Sequence, residues 1–214
     1  MELKKRIEHL LPDEIEKRSF EIITDELKKR GISLPKEQEM ITKRVIHTSA
    51  DFDYVDTLVY SKDAVSIAKE LLGNGADIVT DTNMALAGIN KRALARMGGQ
   101  VHCFMADEDV AQIAKERGVT RATVSMEKAR DIEKPVIFAV GNAPTALFRL
   151  YEMMQECSWQ PAFVIGVPVG FVNVEVAKEL IMETDVPYII NTGRKGGSNV
   201  AAAICNALLY ELTR

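Results

Sequence analysis

The feature that most constrains this chain is the order of its pattern from Val55 onward. Short, nearly unbroken apolar runs alternate there with amphipathic stretches of helical period. The runs are 56–60 (DTLVY), 76–80 (ADIVT), 101–105 (VHCFM), 135–140 (PVIFAV), 162–166 (AFVIG) and 187–191 (PYIIN). A strand covered on both faces reads as a continuous apolar run, whereas a half-exposed strand alternates. The pattern predicts helices over 62–72, 83–97, 107–117, 121–131, 144–156, 173–183 and 198–212. Ser61 and Asp107 read as N-caps, and Gly73, Gly98 and Gly118 as helix stops. Regular strand-then-helix order implies right-handed crossovers and a mainly parallel sheet. The expected fold is therefore α/β in three layers, with five to six mainly parallel strands flanked by helices.

Two helices precede this pattern. Pro12 suits a helix start, Ile15, Ile22, Ile23 and Leu27 recur at helical spacing, and Gly31 suits the stop. A second helix is predicted from Pro35 to Ile46, with His47 immediately after it. No linker, repeat or low-complexity tract interrupts the 214 residues. One domain over 1–214 is expected, its N-terminal helices packed against it or against a partner subunit.

The composition narrows the function classes. Apolar residues at 47% supply a core, and a net charge of −4 argues against holding nucleic acid by bulk charge. Met1–Leu11 is charged and lacks the apolar core of a signal peptide. The longest apolar stretch, Ala162–Val172, is shorter than the roughly 20 residues a bilayer span needs. Cys103, Cys157 and Cys205 are odd in number and form no C-x-x-C, which argues against structural zinc and a disulfide framework. A soluble cytoplasmic protein with reduced thiols is expected, with no membrane or nucleic-acid partner.

Ligands of open parallel sheets bind beyond the carboxyl ends of the strands. That rule selects the loops Thr80-Asp81-Thr82-Asn83, Gly141-Asn142-Ala143-Pro144-Thr145, Gly166-Val167-Pro168-Val169-Gly170 and Asn191 to Asn199. The last contains Gly193-Arg194-Lys195-Gly196-Gly197-Ser198. Its glycines allow close backbone approach, its two cations add positive charge, and the helix starting near Ser198 offers free N–H groups to an anion. An ordinary strand-to-helix turn with two solvated cations fits the same residues equally well. No Walker A loop and no G-x-G-x-x-G after a strand is present, which weakens a nucleotide reading.

Among the three histidines His47 stands out, in Lys43-Arg44-Val45-Ile46-His47-Thr48-Ser49 at a helix end. Histidine changes charge near neutrality and suits proton donation to a ligand, although a capping or surface role fits the pattern too. His102 reads as a satisfied core histidine, and the histidines lack metal-site spacing. Arg121 opens a helix against its dipole, which hints at a role beyond the helix. Arg18 and Ser19 interrupt the apolar stripe of the first helix, facing either a ligand or the edge of the exposed face.

Taken together, the chain resembles the precorrin-8X methylmutase family of cobalamin biosynthesis over nearly its whole length. The resemblance rests on Arg18-Ser19-Phe20, Arg44-Val45-Ile46-His47, Thr80-Asp81 with Met84 and Ala87-Gly88-Ile89, and Thr120-Arg121. It rests also on Gly141 to Phe148, Gly166 to Val172 and Gly193 to Ser198. Each motif is weak, and all of them in this order are specific. The resemblance implies an isomerase that moves a methyl group from carbon 11 to carbon 12 of a corrinoid, yielding hydrogenobyrinate or cobyrinate. It implies no redox cofactor, no protein-bound metal, and a homodimer with substrate between subunits. By the same resemblance His47 is the catalytic histidine that protonates or hydrogen-bonds the ring C nitrogen, and Ser19 and Arg121 contact substrate. Asn90, also expected to bind substrate, stands where relatives carry threonine. After Val172, the family's glutamate-serine-lysine run is kept only at Lys178. Arg18, Asp81, Asn142, Arg194, Lys195, Gly196, Gly197 and Ser198 complete the expected substrate-binding set. A non-catalytic tetrapyrrole- or anion-binding module, or a sugar-phosphate or nucleotide enzyme on the same fold, are the competing readings.

Overall fold

The computed structural model describes residues 8–157 and 159–213. Of the Met1–Leu11 segment read as lacking a leader, residues 1–7 lie outside them. The chain opens with α1 (Pro12–Lys29), α2 (Glu39–Ser49) and a single turn, α3 (Tyr54–Thr57). The alternating pattern follows as β1 (Leu58–Tyr60), α4 (Ala64–Gly73), β2 (Asp77–Thr80), α5 (Asn83–Gly88), α6 (Lys91–Arg96) and β3 (Val101–His102). The remainder is α7 (Glu108–Arg117), α8 (Arg121–Ala129), β4 (Val136–Val140), α9 (Pro144–Glu156), β5 (Phe163–Gly166), α10 (Val174–Met182), β6 (Tyr188–Asn191) and α11 (Ser198–Thr213).

All six expected strands form one sheet in the order β1-β6-β5-β4-β2-β3. Every pairing is parallel except β1 with β6, where Leu58 faces Asn191. The alternation of side chains sorts each strand between two cores. Ile137 and Ala139 of β4 pack with Phe163, Ile165 and α11 on one face. Val136, Phe138 and Val140 pack with α8, α9 and α10 on the other. This is the three-layer arrangement, with α2, α4, α5, α6 and α11 on the first face. α1 lies outside α2, closed by a small cluster of Ile23, Leu27 and Ile46.

Several boundaries differ from the sequence reading; β1, for one, starts at Leu58 because Asp56 and Thr57 belong to α3. The expected helix over 83–97 is two helices, because α11 clamps its middle. Asn206 accepts the Asn90 N–H (2.8 Å) and donates to the Gly88 carbonyl (2.8 Å), while the Asn90 side chain caps Ala93 N–H (3.0 Å). α2 starts later and runs through Ser49, so His47 sits in its last turn instead of beyond it. β3 ends at His102, since Phe104 leaves the ladder to pack against Val110, Ala114 and Val124. Ser61 does not cap α4; its hydroxyl accepts the Tyr188 N–H (2.8 Å) and ties β1 to β6, and Asp63 precedes the helix.

At the amino end of β2, away from the strand exits, buried Asp77 meets His102 Nε2 (2.9 Å), the Gln100 N–H (2.9 Å) and Lys134 (3.5 Å). His102 is thus a satisfied structural histidine. Burial pushes the Asp77 carboxyl up, but His102, Gln100 and Lys134 outweigh it and hold the carboxyl below its ordinary 3.8. A depressed carboxyl contributes stability that is present above its unfolded-state value and lost as pH falls through the folded one. Asp77→Asn should therefore flatten the loss of unfolding free energy below pH 3.8. Urea titrations between about pH 5 and 3 check this; identical slopes in the two proteins would refute it.

Candidate active site at the strand exits

Chain order reverses between β2 and β4, so the loops leaving these strands diverge and leave a crevice. Asp81 builds its floor. It is fully buried, and its carboxylate accepts the N–H groups of Gly141 (2.8 Å), Asn142 (2.8 Å) and Ala143 (2.6 Å). Burial pushes this carboxyl above its ordinary value, and the three backbone donors work against that push. Thr82 caps α5 through Ala85 N–H (3.1 Å) and bonds to the Ser198 hydroxyl (2.7 Å). Gly141 is required here, because a Cβ on it would lie 2.7 Å from Ser198 Cα. The exits of β2, β4 and β6 are therefore in direct contact.

The Gly193–Ser198 loop joins the fourth exit to them. Gly197 N–H donates to the Val167 carbonyl (2.9 Å), and Gly170 N–H to the Arg194 carbonyl (3.2 Å). Gly196, at φ 157°, passes so close that an added Cβ would stand 2.0 Å from the Val167 oxygen. Buried Asn191 donates to the Lys195 carbonyl (2.9 Å) and accepts the Thr57 hydroxyl (2.6 Å). Lys195 bridges Asp51 and Asp53 at 2.6 Å each, which draws the segment after α2 to the same rim. Its ammonium, with the Asp53 N–H, holds the Asp51 carboxyl below its usual range.

His47 is exposed at the end of α2, its ring centroid 5.5 Å from that of Phe20. Phe20 also lies under the Arg44 guanidinium at 4.7 Å, and Arg44 binds Glu16 at 2.7 Å. α1 thus brings Arg18 and Ser19 to the His47 side of the fold. Arg18 pairs with Glu8 (3.0 Å), and half-buried Ser19 donates to the Ile15 carbonyl (2.9 Å).

Arg121 lies on the opposite face of the sheet at the start of α8, exposed. Thr120 caps α8 through Thr123 N–H (3.2 Å) and reaches the Thr145 hydroxyl (2.9 Å) at the start of α9. Of the expected binding residues, Asp81 has no surface and shapes the 141–145 loop instead, and Asn90 uses its side chain as a cap. Asn142 is exposed beside Asp81, and Gly196 and Ser198 are half-buried.

The two loop cations are not free. Lys195 holds two aspartates, and Arg194 pairs with Glu175 (2.9 Å) and covers the Phe171 ring (5.6 Å). Both pairs are exposed, where ion pairs contribute only about 0–1 kcal/mol, so a carboxylate ligand can compete for these cations. Thr82, Asn191, Asp51 and Asp53 were not in the expected set. Each has a partner more than a hundred residues away, which no local pattern announces. Lys178 did carry a signal, a lysine in the apolar register Val174, Ala177, Lys178, Ile181 of α10.

The model of the precorrin-8X methylmutase family matches residues 14–211. A cobalt-precorrin-8 methylmutase of Salmonella typhimurium is 49% identical over 175 residues, covering 81% of each chain. One from Priestia megaterium is 41% identical over 172 residues, covering 80% of this chain and 76% of that one. The crystal structure of a precorrin-8X methyl mutase from Thermus thermophilus superposes with a TM-score of 0.82 at 35% identity, over 92% of this chain and 96% of that one. A match of this length, with the same fold and with relatives named as methylmutases, makes the chain an isomerase and a member of the precorrin-8X methylmutase family.

Proposed function

We propose that this enzyme moves the methyl group on carbon 11 of precorrin-8X or cobalt-precorrin-8 to carbon 12, giving hydrogenobyrinate or cobyrinate. The carbon 11–methyl bond breaks as the carbon 12–methyl bond forms, so the step is an isomerisation with no net change of electrons. His47 is the proton donor in this reading. A hydrogen bond or proton given to the ring C nitrogen withdraws electron density and eases the migration.

The observation that carries the assignment is the position of His47. It is exposed, it leans on Phe20, and its helix end is tied to the strand-exit rim through Asp51, Asp53 and Lys195. A flat macrocycle edged with carboxylates needs an apolar face, scattered cations and one proton source, and this end of the sheet offers all three. Among the described residues the most exposed large apolar side chains, Phe171 (81%), Val172 (77%) and Met84 (71%), follow β5 and β2 at the same end. The reading gives them to the macrocycle face and to a second copy of the chain, with the substrate held between subunits in a cytoplasmic homodimer.

The test is incubation with metal-free and cobalt-bearing precursor, followed by absorption spectroscopy. The extended conjugation of the product should appear with at least one of them. No spectral change with either, together with tight binding of a simple phosphate ligand, would overturn the proposal.

A further inference from the structure

Lys178 stands in the core-facing register of α10 and is 1% exposed. An ammonium in that position is costly unless its protons are satisfied. Here it donates to two carbonyls of the glycine-rich loop, Gly193 O at 2.7 Å and Lys195 O at 3.0 Å. The Lys195 carbonyl accepts from Asn191 as well, so two buried side chains hold the same peptide. Burial lowers the amine to about 8, while Glu175, one turn earlier, favours its charged form.

These two contacts determine which way the loop presents its donors. In a trans peptide the C=O of one residue and the N–H of the next point in opposite directions. With the carbonyls of Gly193 and Lys195 drawn onto the buried ammonium, the N–H groups of Arg194 and Gly196 point away from it. Neither has a hydrogen-bond partner among the described residues, and residues 193–196 are all at least partly exposed.

We propose that Lys178 is a positioning residue for substrate binding, which turns these carbonyls inward and so holds the Arg194 and Gly196 N–H groups outward to receive a peripheral carboxylate of the macrocycle. The inference rests on the methylmutase reading above. Lys178 touches no reacting atom, so its removal acts on binding and leaves the methyl shift at His47 intact.

The experiment compares wild type, Lys178→Met, which keeps length without donors, and Lys178→Gln, which keeps donors without charge. KM for the corrinoid should rise on the order of tenfold or more in Lys178→Met, and less in Lys178→Gln, with kcat within about threefold of wild type. The thermal midpoint should fall modestly in Lys178→Met, because the Gly193 carbonyl loses its donor while the Lys195 carbonyl keeps Asn191. Unchanged KM in a folded Lys178→Met protein overturns the proposal, as does an equal loss of kcat and kcat/KM. If neither variant folds, Lys178 is a fold residue only and the proposal falls. A wild-type chain inactive on both precursors is a separate result, which removes the functional reading itself.

Discussion

His47→Ala should lose turnover by about 10²–10⁴-fold while keeping corrinoid affinity within severalfold of wild type, because general acid catalysis contributes that much and one exposed ring contributes little binding surface. The geometry gives the second half of this expectation its basis. His47 is exposed, and among the described residues its ring meets only the Phe20 ring, so truncation leaves no buried group without a partner. The fold should be unaffected, and the variant should purify and unfold as wild type does. His47→Asn separates proton donation from hydrogen bonding, since an amide keeps a donor but not the titration. A partial recovery with asparagine would assign His47 to hydrogen bonding of the ring nitrogen. Full turnover in His47→Ala would end its assignment as the donor. Affinity is best followed by quenching of the single tryptophan, Trp159, or by corrinoid absorption, independently of turnover.

The largest stability loss should follow Asp81→Ala. Three backbone N–H groups would lose their acceptor in a place water reaches poorly, at a cost of about 3–5 kcal/mol. Asp81→Asn should cost less, about 2 kcal/mol, because one amide oxygen still accepts while the NH₂ group faces a remaining N–H donor. Denaturant midpoints at fixed pH measure both. Losses within 1 kcal/mol for alanine would mean that the loop reorganises around the vacancy. The effect should also reach substrate binding, because the same loop starts α9, where Thr145 joins Thr120 beside Arg121.

The sequence pattern carried the fold well because burial on both faces leaves short continuous apolar runs, set apart here by the amphipathic stretches between them. β2, β4 and β5 are buried at every position, and each was visible as an apolar run. Boundaries failed where tertiary packing intervened, as distant Asn206 does at Gly88–Asn90 and as Val110, Ala114 and Val124 do by drawing Phe104 off the end of β3. The loops of the site were legible from strand exits and glycines. Their internal wiring was not, since Asp51 and Lys195 are 144 residues apart and their pairing leaves no periodic trace. Asp81 was expected to meet substrate and is instead buried beneath three backbone donors. A buried carboxylate and a ligand-facing one look alike in a sequence, and only the count of backbone donors tells them apart.

Both margins of the sheet are short, three residues in β1 and two in β3. β1 also runs against its neighbour, so the parallel register ends before the edge. An open edge invites another strand in proportion to the length of backbone it leaves unpaired. A rigid, largely parallel core of this kind folds slowly and passes through states with unpaired backbone. Once the sheet is complete, its edges offer an incoming chain only two or three residues to grip. Short outermost strands blunt both edges of the folded sheet, without a proline in either one.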